Sequence, residues 1–139
     1  MRFTTEIDPA HLRINAAWRR GKTRDGRPIT YLSAKYKKAR DCVLTSAVES
    51  AAGWRFMGGV SVSLRIFFRK MTRTGAAAGM PWGDVDGPIK GVLDALQGYD
   101  DNPGILVDDA QVMEIYAIKG YDPERPRVEV EVVPYESDH

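Results

Sequence analysis

The sequence predicts a single α+β domain over residues 1–139, with one mixed or antiparallel sheet and two main helices. Three observations predict it. A length of 139 residues suits one domain and one core. Two stretches repeat apolar residues every second position: "GVSVSLRIFFRK" near the middle and "RVEVEVVPY" near the end. Two others repeat them at helical spacing, from Ala34 to about Ala52 and from Ile89 to Leu96.

Each element follows from local chemistry. Residues 10–30 are basic, carry Gly21, Gly26 and Pro28, and keep no period, so they read as a loop with a turn at Asp25–Gly26. Ser33 is placed to cap the first helix. Tyr36, Ala39, Val43, Ala47 and Val48 form its inward face, and Gly53 stops it. In the strand that follows, Val60, Val62, Leu64, Ile66 and Phe68 alternate with Ser61, Ser63, Arg65, Phe67 and Arg69. "TRTGAAAGMPWG" is small and glycine-rich and reads as a flexible loop. Pro88 suits a first helical turn, where its missing N–H costs nothing. Ile89, Val92, Leu93 and Leu96 then give the second helix one apolar face, and Gly98 ends it. After the turn "YDDNPG", a short strand at "ILV", a break at Asp108–Asp109 and a longer strand over Val112–Lys119 are expected. "RVEVEVVPY" completes the sheet with one wet face.

Composition narrows the function classes. Cys42 is the only cysteine, so an internal disulfide and a cysteine-based zinc site are excluded. No apolar run nears the roughly 20 residues that span a bilayer. The start "MRFTTEIDPAHLR" has no apolar core of a secretory signal, so a cytoplasmic location and no membrane partner are expected. The net charge of +1 hides a segregation. Residues 1–75 hold 16 of the 20 Lys and Arg and 5 of the 19 Asp and Glu, a net +11. Residues 76–139 hold the remaining 4 and 14, a net −10. Such a split fits a polyanionic partner for the basic half, or two halves that pair with each other.

The acidic half carries the candidate chemistry. Asp84 and Asp86 are two apart just before a helix, a spacing that puts both on one side of an extended chain, near a favourable helix dipole. Asp108 and Asp109 sit at a strand break. If the two places meet, several carboxylates converge and need a cation; hard oxygen ligands select Mg²⁺ or Mn²⁺. Lys90 lies one helical turn past Asp86, within reach of a phosphate. Those parts suit metal-assisted phosphodiester hydrolysis. Taken singly, each also has a plain reading: Asp86 as an N-cap, Asp108–Asp109 as loop, Lys90–Asp94 as a surface ion pair. The EF-hand spacing is absent, and His11 and His139 make a poor histidine nuclease.

The run "GDVDGPIKGVLDALQG…ILVDDAQV" resembles the RusA family of Holliday junction resolvases, small endonucleases of bacteria and their phages. "DVDG", Lys90, "DAL" at Asp94–Leu96 and "DDAQV" at Asp108–Val112 occur in the family's order, and "INAAWR" at Ile14–Arg19 resembles its N-terminal region. The resemblance implies a RusA-like fold and a homodimer that resolves four-way DNA junctions in recombination, repair or phage DNA processing. It implies paired symmetric nicks that leave 5′-phosphate ends. It makes Asp84, Asp86 and Asp109 the catalytic Mg²⁺ carboxylates, Lys90 the catalytic lysine and Asp108 an auxiliary acid. DNA contacts then fall to Arg19, Arg20, Lys22, Arg24, Arg27, Lys35, Lys37 and Lys38 in the basic half. Trp18 and Tyr31 are either stacking residues at the opened junction or core residues. Gly87 stands where the family has asparagine, and Gly83 where some relatives have a basic residue. A branched-DNA-binding protein with weak or no cleavage is the alternative.

Overall fold

The computed structural model describes residues 1–13 and 17–136. Ile14–Ala16, part of the N-terminal stretch of the resemblance, and His139 lie outside the described residues. The chain folds as α+β, with two α-helices among the described residues and a mixed four-stranded sheet. In sheet order the strands are β1 (Arg2–Thr5), β8 (Arg127–Pro134), β4 (Val60–Phe68) and β7 (Val112–Tyr121). β1 and β4 run antiparallel to β8, while β7 runs parallel to β4.

The period-two strands behave as their alternation dictates. Val62, Leu64 and Ile66 of β4 pair with Val132, Val130 and Val128 of β8, and all six are buried. Helices α1 (Ala34–Ala51) and α2 (Ile89–Gln97) cover that face and share its core. Ser33 caps α1, accepting from the Tyr36 N–H at 3.2 Å. The helix ends one residue early, with Ala52 left-handed as its C-cap. Val48 faces out and Leu44 takes the inward place, a small rotation of the expected apolar face. α2 spans the expected residues and ends at Gly98.

Four sequence expectations are corrected. Residues 18–32 are a two-stranded ribbon, β2 (Trp18–Lys22) with β3 (Pro28–Leu32), closed around Asp25–Gly26. It lacked a period because neither face is buried, so backbone hydrogen bonds rather than packing hold it. The "ILV" segment is not a strand: Ile105 and Leu106 are buried as irregular chain, after a short pairing of β5 (Gly98–Tyr99) with β6 (Asn102–Pro103). The loop after β4 is knit by backbone bonds, Thr72 N to Met80 O at 2.8 Å and Trp82 N to Lys70 O at 2.9 Å. The stretch from Asp84 into α2 is a turn, not extended chain: the Gly87 N–H donates to Asp84 O at 3.1 Å and the Ile89 N–H to Asp86 O at 3.3 Å.

The N-terminal segment is the last piece. Pro9–Leu12 forms a 3-10 turn capped by Asp8, whose carboxylate accepts from the Ala10 N–H at 3.0 Å. Leu12 is fully buried against α2. It fits because Gly91 is small: a Cβ there would lie 2.8 Å from the Leu12 carbonyl oxygen.

Candidate active site

The site forms where the N-terminal part of α2 meets the break before β7. Lys90 is its hub. Its Nζ lies 3.0 Å from an Asp94 carboxylate oxygen and 3.3 Å from Asp109 Oδ2. The Asp94 contact is one helical turn along α2. The other Asp94 oxygen accepts the Tyr36 hydroxyl at 3.2 Å. Tyr36 is buried at the start of α1, and burial first, then Asp94, pushes its pKa up to about 12. It therefore donates throughout the neutral range. Hydrogen bonds to Asp94 and then Asp109 raise the Lys90 pKa, so the ammonium stays charged.

The "DDAQ" turn divides labour between its two acids. Asp108 caps a 3-10 turn over Asp109–Gln111, accepting from the Ala110 N–H at 2.9 Å. Gln111 closes the reciprocal half of the capping box: its Oε1 accepts from the Asp108 N–H at 3.0 Å and the Val107 N–H at 2.7 Å. Its Nε2 donates to the carbonyls of Phe56 and Gly58 at 3.0 and 2.9 Å. Asp108 thus shapes the turn. The carboxylate of Asp109 is turned instead to Lys90, while its N–H reaches Gln97 Oε1 at 3.3 Å.

Asp84 and Asp86 are exposed on the turn that leads into α2. A cation and a ring support the loop before them. Lys119 Nζ, on β7, donates to the carbonyls of Pro81 and Gly83 at 3.1 and 2.8 Å. Gly83 has φ +138°, and a Cβ on it would lie 2.5 Å from the Phe68 ring, so no side chain fits there. Among the described residues no three or more His, Cys, Asp or Glu side chains gather as a metal cluster. The structure therefore joins Asp109 to Lys90 and leaves Asp84 and Asp86 open in their own turn. The donor chemistry nonetheless fits a hard cation. Mg²⁺ is commonly held by one or two carboxylates, with water and substrate phosphate completing its shell.

Every sequence-proposed DNA contact is exposed: Arg19, Arg20, Lys22, Arg24 and Arg27 on the ribbon and Lys35, Lys37 and Lys38 on α1. Trp18 and Tyr31 are exposed as well, at 54% and 45%, which removes the core reading for both. Tyr31 lies across Gly21, where a Cβ would be 2.9 Å from its ring. The two charge halves do pair in places, through Arg2–Glu131, Arg65–Glu129 and Arg125–Glu6. On the ribbon, Arg27 pairs with Asp25 within its own turn.

Sequence reasoning gave no role to Tyr36 as a donor, Gln97, Gln111 or Lys119. The quoted "DDAQV" did contain the signal for Gln111, since Asp-x-x-Gln is a capping-box spacing. Nothing local marks the other three, which act on residues far along the chain. No curated protein matches the sequence. Residues 12–133 match the family model described as endodeoxyribonuclease RusA. That match takes in both the Lys90 hub and the basic ribbon, and the chain belongs to the RusA endodeoxyribonuclease family.

Proposed function

We propose that the protein is a Mg²⁺-dependent endonuclease that resolves four-way DNA junctions by paired symmetric nicks, leaving 5′-phosphate ends. The observation that carries this reading is the charged Lys90 hub set between "DVDG" and "DDAQV" within a RusA-family chain. Asp84, Asp86 and Asp109 would hold the cation, with Mn²⁺ as a substitute. When bound, it would polarise the scissile phosphate and acidify a water.

The chain's own residues do the rest. Asp94 and Tyr36 hold the Lys90 ammonium in one place, ready for charge that develops on the phosphate. Approach of that phosphate gives Lys90 an alternative to Asp109, which frees Asp109 as a ligand. The capping box of Asp108 and Gln111 keeps the Asp109 backbone fixed during this exchange. The ribbon and the start of α1 supply phosphate contacts that hold the junction without reading sequence.

A homodimer fits the sheet. β7 is an edge strand of 10 residues with Met113, Ile115 and Ile118 exposed, and such an edge pairs readily with another chain. Sedimentation should give two chains per particle; a monomer would remove this part. A cytoplasmic role in bacterial or phage recombination and repair follows from the proposed substrate. No helix of the described residues is long and apolar enough to cross a membrane.

The test is cleavage of a labelled synthetic four-way junction, with Mg²⁺ or with EDTA, beside a linear duplex. Metal-dependent symmetric nicks near the crossover are expected from the natural sequence. Asp84→Asn and Asp86→Asn should cut at least about 100-fold more slowly while binding the junction undiminished. Tight binding by the natural sequence without nicks would favour the binding-only alternative.

A further inference from the structure

We propose that Arg13 is a phosphate-binding residue of the cleavage site, taking the DNA strand that passes the Asp84–Asp86 turn. The assignment rests on the endonuclease reading above and adds a residue from outside the acidic motif.

Two exposed carboxylates and an incoming phosphate repel one another; the proposed cation offsets this at its ligands, and a further positive charge close by would draw in the strand that passes them. The turn cannot supply it. Gly83 has no room for a side chain and Gly87 has none. Lys90, the nearest cation in the motif, is already shared between Asp94 and Asp109. Arg13 arrives from a different element. Gly87, on the turn before α2, and Gly91, within α2, both face the N-terminal segment. Consecutive residues of the N-terminal segment lie against them: Leu12 on Gly91 and Arg13 on Gly87. A Cβ at Gly87 would sit 3.1 Å from Arg13 Cγ and 3.3 Å from the Asp84 carbonyl oxygen. With no side chain at Gly87, Arg13 lies along the acidic turn without having to give way.

The far end of Arg13 is held but not consumed. Its guanidinium carbon lies 5.6 Å from the centroid of the Trp82 ring, two residues before Asp84. Among the described residues its side chain makes no salt bridge or hydrogen bond, whereas Arg127 spends its guanidinium on Asp122 and Glu129. A half-buried arginine whose stem lies along a carboxylate turn, whose guanidinium is steered by a ring and whose donors stay open suits a phosphodiester oxygen. Trp82 itself is 45% exposed, and Lys70 Nζ lies 5.8 Å from the same ring, which adds positive charge on this approach.

The experiment uses the full chain and four-way junctions carrying a single methylphosphonate, one junction for each phosphate flanking the cut. Arg13→Gln should lower the single-turnover cutting rate at least about 10-fold with junction Kd changed less than about threefold. At one phosphate, neutralisation should slow the natural sequence about 10-fold and Arg13→Gln less than about twofold, because the contact is already gone. A purely structural arginine gives no such position-specific loss of sensitivity. Arg13→Lys keeps the charge without the fork and should fall between the two; it replaces the Gln variant if that variant melts early. Equal sensitivity of both proteins at every phosphate overturns the assignment, as does full activity of Arg13→Gln. Failure of the natural sequence to cut the unmodified junction overturns the endonuclease reading, and the assignment with it.

Discussion

The hub around Lys90 and the β2–β3 ribbon are both rich in charge, yet they are built in opposite ways. At the hub each charged group has a defined partner. Tyr36 holds Asp94, Asp94 holds Lys90, Lys90 holds Asp109, and Gln97 and Gln111 hold the turn beneath. These residues come from α1, α2 and the turn before β7, so three elements must be in place at once. The ribbon has cross-strand backbone bonds and exposed cations, and no face of it is buried. A chemical step rewards the first design, because it needs a group fixed in place. A polyanion of variable shape rewards the second, because phosphate contacts give affinity without demanding fixed geometry.

The sharpest way to break this contrast is at Asp94. Asp94→Asn keeps the shape of the side chain but removes its charge from Lys90. Cutting should slow by about 10–100-fold, the scale of a misplaced catalytic group. Junction binding should stay within about threefold. A parallel loss of binding would show that the hub grips DNA and would erase the division between the two regions.

Legibility in the sequence followed burial. β4 and β8 show their period because one face of each is packed, and α2 shows its own because Val92, Ala95 and Leu96 are fully buried. The ribbon gave no period because nothing covers it, so only its Asp25–Gly26 turn could be read. Irregular chain at Ile105–Leu106 imitates a strand because buried residues are apolar whatever their backbone does. The same limit applies at the site. Lys90, Asp94 and Asp109 stand out by motif and spacing. Tyr36 lies 58 positions from Asp94, and Lys119 is 36 from Gly83, so only the fold reveals those bonds. Gly87 is the instructive case: in the sequence it looks like a lost asparagine, and in the structure it is the seat of Arg13.

A milder test sharpens the ribbon's side of the comparison. Arg20→Gln removes one exposed cation and no packing. The slope of log affinity against log salt should become shallower by about 0.9, one phosphate contact on duplex arms. The cutting rate at saturating junction should be unchanged. A slope that does not move would place the DNA elsewhere, with Lys35, Lys37 and Lys38 on α1 as the next positions to neutralise.

The smallest effect is expected from Tyr36→Phe, and its value lies in its sign. At neutral pH the variant loses the hydroxyl that Asp94 accepts, about 1 kcal/mol of stability. In the folded protein the pKa of the Tyr36 hydroxyl is pushed up to about 12, from 10.0 for an ordinary tyrosine. Between those values the unfolded chain has released its proton and the folded chain has kept it. Stability therefore falls as pH rises through this window. Lys90, whose folded pKa is also raised, adds a decline of the same sign above the ordinary lysine value of 10.5. Tyr99 adds another, its hydroxyl pushed up by burial and then by Asp41. Phenylalanine removes the Tyr36 part of this decline. The gap between variant and natural protein should thus be widest from pH 7 to 9 and close above pH 10. Urea titrations across that range will show it. A gap that stays constant would mean that the Tyr36 hydroxyl is no better shielded than in the unfolded chain, and the hub would then be as open to solvent as the ribbon.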